Sequence, residues 1–415
     1  MRGVVIPKLQ DVYRGWWVAI AGMLALTLLI GSQTGGSMGL FFVALMREFD
    51  WSRTLLSGAF SVVRIEGSFL GPIEGFLTDR IGSHRMVLIG SVIAGVGFFI
   101  LASVSHPVTF YLALLVITGG VGIGGFIPVV TAVNWWFTER RNRATGLALA
   151  GVAMGAIWSP LIAWGITSFG WRPTSVVMGV VLIVVGIPLS RVLKPPTHMR
   201  LEITAEATDV SKEQHTTEAV PDFTLREAMR TPAFWLIPIS HGTNGFTTSA
   251  VYVHGVPRLT DASFTLGEAG AIMATYGIVE ALMRVFGSFL GDRMDKRIGI
   301  AAYCTVQSLG VVVLSIADTL PLAMLFAVLF AIGHGGRGPL IVAIRGEYFG
   351  QRSFGTIMGI GGLITGPIGI VTPIFLGVLY DIQGTYLLGF LIMSLLTFLG
   401  GFVMLFVKRP SLPRA

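Results

Sequence analysis

A single cysteine, Cys304, stands among 415 residues, which excludes a disulfide framework and any metal site built on thiolates. Charge is scarce too: Asp, Glu, Lys and Arg make up 12% of the chain, about half the roughly 25% of an ordinary soluble domain. Short alternating segments of the kind a membrane β-barrel needs do not occur. No nucleophile, base and metal ligands gather near one interface, so no enzyme site is expected. No cofactor is expected either. What is present is apolar: 53% hydrophobic residues, 54 glycines and a mean hydropathy of +0.76. A helix needs about 20 apolar residues to cross a bilayer, and glycine lets such helices approach closely. The chain therefore reads as an all-α integral membrane protein whose surroundings are the lipid bilayer. Its net charge of +7 is loop lysine and arginine on one side of that bilayer, not a nucleic-acid surface.

Twelve spans are expected, near 16–45, 53–78, 86–105, 108–137, 144–168 and 173–192, then 233–256, 267–291, 298–316, 321–348, 355–380 and 386–407. With this alternation Arg80, Arg85, Arg140, Arg141, Arg143, Arg293, Lys296, Arg297, Arg352, Lys408 and Arg409 fall on the side of the N-terminus, and only Arg47, Arg53, Arg172 and Arg258 on the other. Both termini are then cytoplasmic, in a multi-pass protein of the cell membrane. The one long polar stretch, 193–231, opens with Pro195 and Pro196 and is read as a cytoplasmic linker between a half at 1–192 and a half at 232–415. Within it Leu225 to Met229 predicts a short interfacial helix.

The halves repeat each other. Asp79-Arg80 matches Asp292-Arg293, Gly125 to Pro128 matches Gly336 to Pro339, and Trp136-Phe137 with Arg140 matches Tyr348-Phe349 with Arg352. All three matches are offset by about 210 residues in the same order, the mark of two six-helix halves related by an axis along the membrane normal.

Charges inside spans point to function, because an unpaired arginine at mid-bilayer costs from about 3 to more than 10 kcal/mol, depending on the scale. Glu280 and Arg284 share one face of the eighth span by their i, i+4 spacing, with Tyr276 a turn earlier. Arg64 and Glu66 lie in the second span on different faces. Arg337 is flanked by Gly335, Gly336, Gly338 and Pro339, a backbone expected to open locally beside a cavity. Arg345 is expected to reach the cytoplasmic interface. Thr243, Asn244, Thr247 and Thr248 offer hydrogen bonds to a substrate or, equally, between helices. His241, His254 and His334 are read as packing residues.

The loop Gly75-Phe-Leu-Thr-Asp79-Arg80-Ile-Gly82-Ser-His-Arg85 resembles the signature of the major facilitator superfamily. The resemblance implies the two-half, twelve-helix fold and a cytoplasmic gate that latches through Gly75, Asp79, Arg80, Gly82 and Arg85, with a degraded copy at Asp292, Arg293 and Arg297. Trp136 to Gly151, an aromatic pair and basic residues before a Gly- and Ala-rich helix, is similar to the monocarboxylate transporters and their oxalate/formate-type relatives. So is Glu280-x-x-x-Arg284. In that branch the arginine binds substrate carboxylate and its acidic partner takes part in proton coupling. The chain departs from the branch in having no lysine near Gly35-Gly36-Ser37, and from drug-proton antiporters in having Thr118 and Ser159-Pro160 in place of their patterns.

These readings together predict a secondary transporter of a small organic anion, a monocarboxylate, by proton symport and alternating access. Exchange of one anion for another and export of a neutral or amphiphilic compound are the alternatives. Substrate-binding candidates are Arg284, Tyr276, Asn244, Arg337 and Arg64; proton-coupling candidates are Glu280 and Glu66, with the proton as coupling ion. The sequence carries no indication of oligomeric state.

Overall fold

The computed structural model describes residues 9–33, 37–137, 141–194, 223–291, 294–350 and 354–410. Every regular element among them is helical, and a helix occupies each of the twelve expected spans. Eight stretches, from Ser83–Ala102 to Leu387–Phe406, are long and apolar enough by themselves to cross a membrane. Three expected spans are broken. The first divides into α1 (Leu9–Leu29) and α2 (Ser37–Phe49), the fourth into α5 (Pro107–Gly124) and α6 (Phe126–Trp136), and the fifth into α7 (Arg141–Met154) and α8 (Trp158–Phe169). The second, third and sixth spans are single helices: α3 (Arg53–Ile81), α4 (Ser83–Ala102) and α9 (Trp171–Val192).

The break in the fourth span has a local cause. Gly125, at φ −90° and ψ −114°, leaves the helical region between α5 and α6. Between α3 and α4, Gly82 takes a φ of +86°, a conformation that a Cβ would strain.

Contacts divide the chain into two compact units. The first holds Met1–Gln33, Phe69–Gly155 and Arg172–Thr216. Its core joins Val18 and Leu26 of α1, Val87 of α4, Val129 and Val133 of α6 and Ala148 of α7. Glycines bring its backbones together: a Cβ on Gly90 would lie 2.4 Å from the Gly124 nitrogen, and one on Gly31 2.3 Å from the Gly155 Cα. That closeness is how small residues hold helices together where lipid removes the hydrophobic drive.

The second unit holds Thr34–Ser68, Ala156–Trp171 and Thr217–Ala415. It contains α10 (Leu225–Met229), α11 (Pro232–Asp261), α12 (Leu266–Gly291), α13 (Lys296–Ser315), α14 (Leu320–Phe349), α15 (Phe354–Gln383) and α16 (Leu387–Val403), together with α2, α8 and the start of α3. Short α10 forms where the sequence predicts it, because Thr224 and Glu227 satisfy each other's backbone amides in a capping box. Thr231 caps α11 with Pro232 at its first position, and the Asp295 carboxylate accepts from the Arg297 amide to start α13. Phe234, Ile237, Ile300, Leu340, Ile344 and Phe349 form the centre of the core.

α14 runs unbroken through Gly335 to Pro339, so the local opening expected there does not occur. The glycines instead allow close packing. A Cβ on Gly335 would stand 2.6 Å from the Glu280 carbonyl oxygen, and one on Gly336 2.3 Å from the Tyr303 ring.

Candidate functional site

α12 carries two faces. Ile278, Leu282, Val285 and Phe286 are exposed along one side, at the spacing of a lipid-facing stripe. Tyr276, Glu280 and Arg284 occupy the other. Glu280 is 2% exposed, and its Oε1 accepts from Arg284 Nε at 3.0 Å and Nη2 at 2.6 Å. The expected pair is thus formed within the helix. Arg284 keeps 34% of its side chain exposed while Glu280 keeps 3%, so the arginine is the more accessible partner of the pair.

Two further helices complete the group. His334 of α14 places Nδ1 3.1 Å from the same Glu280 Oε1 and 3.2 Å from the Tyr276 hydroxyl. Tyr252 of α11 meets that hydroxyl at 3.1 Å. One carboxylate therefore joins an arginine and an imidazole, and two phenols extend the chain of polar groups. The sequence places Glu280, Arg284 and Tyr276 together correctly but reads His334 as packing and passes over Tyr252. The available signal was weak: a histidine one turn before a buried arginine, in a glycine-rich stretch.

Arg337, 2% exposed, belongs to a second group. Its Nη1 donates to Asn244 Oδ1 at 3.1 Å, and its Nη2 lies 2.8 Å from His241 Nδ1. Arginine only donates, so His241 Nδ1 accepts and is unprotonated. Asn244 Nδ2 in turn donates to Gln307 Oε1. Asn244 is therefore committed to side chains of its own unit. Of the threonines beside it, Thr247 joins two helices by bonding the Met393 carbonyl and Thr397, while Thr248 bonds the Asn244 carbonyl within α11. Arg345 is buried, contrary to the expectation that it reaches the interface.

At the far end of α3, Arg53 donates to Asp261 Oδ1 at 2.6 Å and to the Tyr386 hydroxyl at 2.7 Å, and its guanidinium stacks 3.6 Å over the Tyr380 ring. His254 bonds the same Tyr386 hydroxyl at 2.9 Å and lies 3.3 Å from Ser57 Oγ. The sequence counted Arg53 only as a loop charge.

The side chains of Arg64, Glu66, Gly75 and Asp79, and residues Asp292 and Arg293, lie outside the described residues, as do Gly35 and Gly36. Of the other expected gate residues, Arg80 and Arg85 are exposed. Arg297 pairs with Asp295 at 2.6 Å and donates to the Val407 carbonyl. That arginine holds the exposed Asp295 carboxyl below the usual carboxylate range.

A model of the Major Facilitator Superfamily matches residues 23–259 and 239–415. Monocarboxylate transporter 13 of Rattus norvegicus is 23% identical over 383 residues, covering 91% of this chain and 85% of that protein. Monocarboxylate transporter 12 of Xenopus laevis is 24% identical over 415 residues, covering 94% and 87%. The uncharacterised transporter YcxA of Bacillus subtilis is 24% identical over 372 residues, covering 85% of each. Among solved structures, a bacterial homologue of the human lysosomal transporter Spinster superposes with a TM-score of 0.71 at 14% identity, covering 94% of this chain and 96% of that one. Helices in all twelve expected spans, the repeated halves of the sequence and a family match running through both halves lead to one assignment: this multi-pass membrane protein belongs to the Major Facilitator Superfamily.

Proposed function

We propose that this transporter carries a small organic anion, a monocarboxylate, by proton symport and alternating access, with Arg284 as the docking group and Glu280 as the proton carrier. The observation that carries the reading is the buried Glu280 carboxylate, shared between the partly exposed Arg284 and His334. A substrate carboxylate arriving at Arg284 competes with Glu280 for the same planar fork of donors. A carboxylate released from its arginine in a dry site is costly as an anion and takes up a proton. His334 lies within hydrogen-bonding reach to pass that proton on, and Tyr276 and Tyr252 extend the path. The likeness to monocarboxylate transporters 12 and 13 supports the substrate class. On this reading the halves at 1–192 and 232–415 alternate about the linker, both termini are cytoplasmic, and the protein resides in the cell membrane.

Uptake of a panel of small monocarboxylates into proteoliposomes, with and without an imposed pH gradient, tests the proposal. Uptake that a gradient accelerates supports symport. Uptake that needs a second anion inside and ignores the gradient would replace symport with exchange. Transport of neutral or amphiphilic compounds alone would remove the anion reading.

A further inference from the structure

We infer that the second half holds a separate anion site at Arg337, built by α11, α13 and α14 and taking one small anionic group, a halide or a single carboxylate. The evidence is a concentration of hydrogen-bond donors with nothing to donate to. Arg337 Nε, Gln307 Nε2, the Tyr303 hydroxyl and the Ser240 hydroxyl are all buried without a hydrogen-bond partner. Gln307 and Tyr303 are one turn apart on α13. The Tyr303 ring lies against Gly336, the residue that precedes Arg337 in α14, and Ser240 is one turn before Asn244 on α11. Native interiors leave few such groups, and each orphan costs free energy.

The orientation of the network is forced. Because Arg337 can only donate, Asn244 Oδ1 must accept from it, so Asn244 Nδ2 turns to Gln307 Oε1 and leaves the Gln307 amide donor outward. His241 Nδ1 likewise accepts from Arg337 and contributes no negative charge. The Cys304 sulfur lies beside the guanidinium. Among the described residues no carboxylate pairs with Arg337. Water could satisfy idle donors, but it cannot offset a buried positive charge. An anion does both.

The site is distinct from the Glu280 group, though near it. On α14, His334 precedes Arg337 by three residues, a rise of about 4.5 Å; on α11, Asn244 precedes Tyr252 by eight, about 12 Å. Two sources of the anion fit this chemistry: an inorganic ion resident in the fold, or a second carboxylate on the transported molecule.

Thermal unfolding of the purified full-length protein in detergent tests the site, with the bulky sulfonate sodium HEPES as the base salt and sodium bromide, acetate or malonate exchanged in at constant ionic strength. Binding to the folded state raises the midpoint saturably. We expect such a rise in the wild type, and an apparent affinity weakened roughly tenfold or more in Arg337→Gln and several-fold in the milder Tyr303→Phe. A response to bromide that persists in Arg284→Gln identifies a resident inorganic anion. A response to malonate over acetate that needs both Arg284 and Arg337 identifies a second substrate carboxylate and moves the substrate class to dicarboxylates. The inference is overturned if no anion shifts the wild type relative to HEPES, or if Arg337→Gln and Tyr303→Phe respond as the wild type does. It fails independently of the docking assignment, since uptake in Arg284→Lys tests that assignment alone.

Discussion

Arg53 Nη2 lies 2.6 Å from Asp261 Oδ1, joining residues 208 positions apart in sequence. Arg53 is 7% exposed, with Tyr380 stacked under its guanidinium and Tyr386 on its other nitrogen. Asp261 is exposed, so removing Arg53 leaves a carboxylate that water reaches, and the cost is the loss of the arginine's charged hydrogen bonds and stack, about 1.5–3 kcal/mol. Arg53→Ala is therefore expected to lower the unfolding midpoint sharply. Arg53→Lys should do so less, since it keeps the charge and loses the planar stack. Thermal unfolding of both, with a double-mutant cycle against Asp261→Asn, measures the pair. A coupling below about 0.5 kcal/mol would mean the pair contributes no more than an exposed surface bridge.

The glycines around Arg337 give a paired prediction. A Cβ on Gly336 would stand 2.3 Å from the Tyr303 ring, whereas one on Gly338 meets nothing within 4 Å beyond its own chain neighbours. Gly336→Ala should destabilise by about 1–3 kcal/mol through overpacking. Gly338→Ala should cost less, because its Cβ meets only the following Pro339, which disfavours but does not forbid a helical residue before it. Equal unfolding midpoints for the two variants would contradict the close-packing account of this stretch.

These glycines also mark where sequence reasoning reached its end. A glycine-rich run around a buried arginine announces an unusual backbone, but the same composition serves an opening and a close approach. The choice depends on whether Glu280 and Tyr303 of neighbouring helices fill the space, which local sequence does not encode. The spans were legible because about 20 consecutive apolar residues have few other uses. The Glu280–Arg284 pair was legible because i, i+4 spacing is a property of one helix. His334 and Tyr252 were not, since their meeting with Glu280 and Tyr276 depends on how α11, α12 and α14 pack. Three helix breaks escaped as well. Gly125 breaks the fourth span, while the corresponding Gly336 leaves α14 intact.

Topology has its own test. Cysteines placed at Ser105 and Asp318 should react with an impermeant thiol reagent applied to intact cells, and one at Ser211 only after permeabilisation. The buried Cys304 of the native chain gives little background. Reversed labelling would place the termini outside and invert the reading of loop charge.

Glu280→Gln separates coupling from binding. The neutral amide mimics a protonated carboxyl, so anion binding should survive while acceleration by a pH gradient disappears. Proteoliposome uptake across a range of imposed gradients reads this directly. Full gradient-driven uptake in this variant would move the coupling proton elsewhere, with Glu66 the next candidate. His334→Gln, which keeps a polar side chain but cannot carry a proton at neutral pH, should reproduce the loss in part.

The most direct measurement is substrate binding and uptake in Arg284→Lys, because the account rests on Arg284 presenting a planar, two-pronged donor to a carboxylate. Lysine keeps the charge and loses the fork. Losing one charged hydrogen bond costs about 1.5–3 kcal/mol, so binding of the transported monocarboxylate should weaken roughly tenfold or more, with uptake falling in step. Normal binding and normal uptake in Arg284→Lys would show that Arg284 only neutralises Glu280 within α12, and would contradict the assignment of this site to the anion.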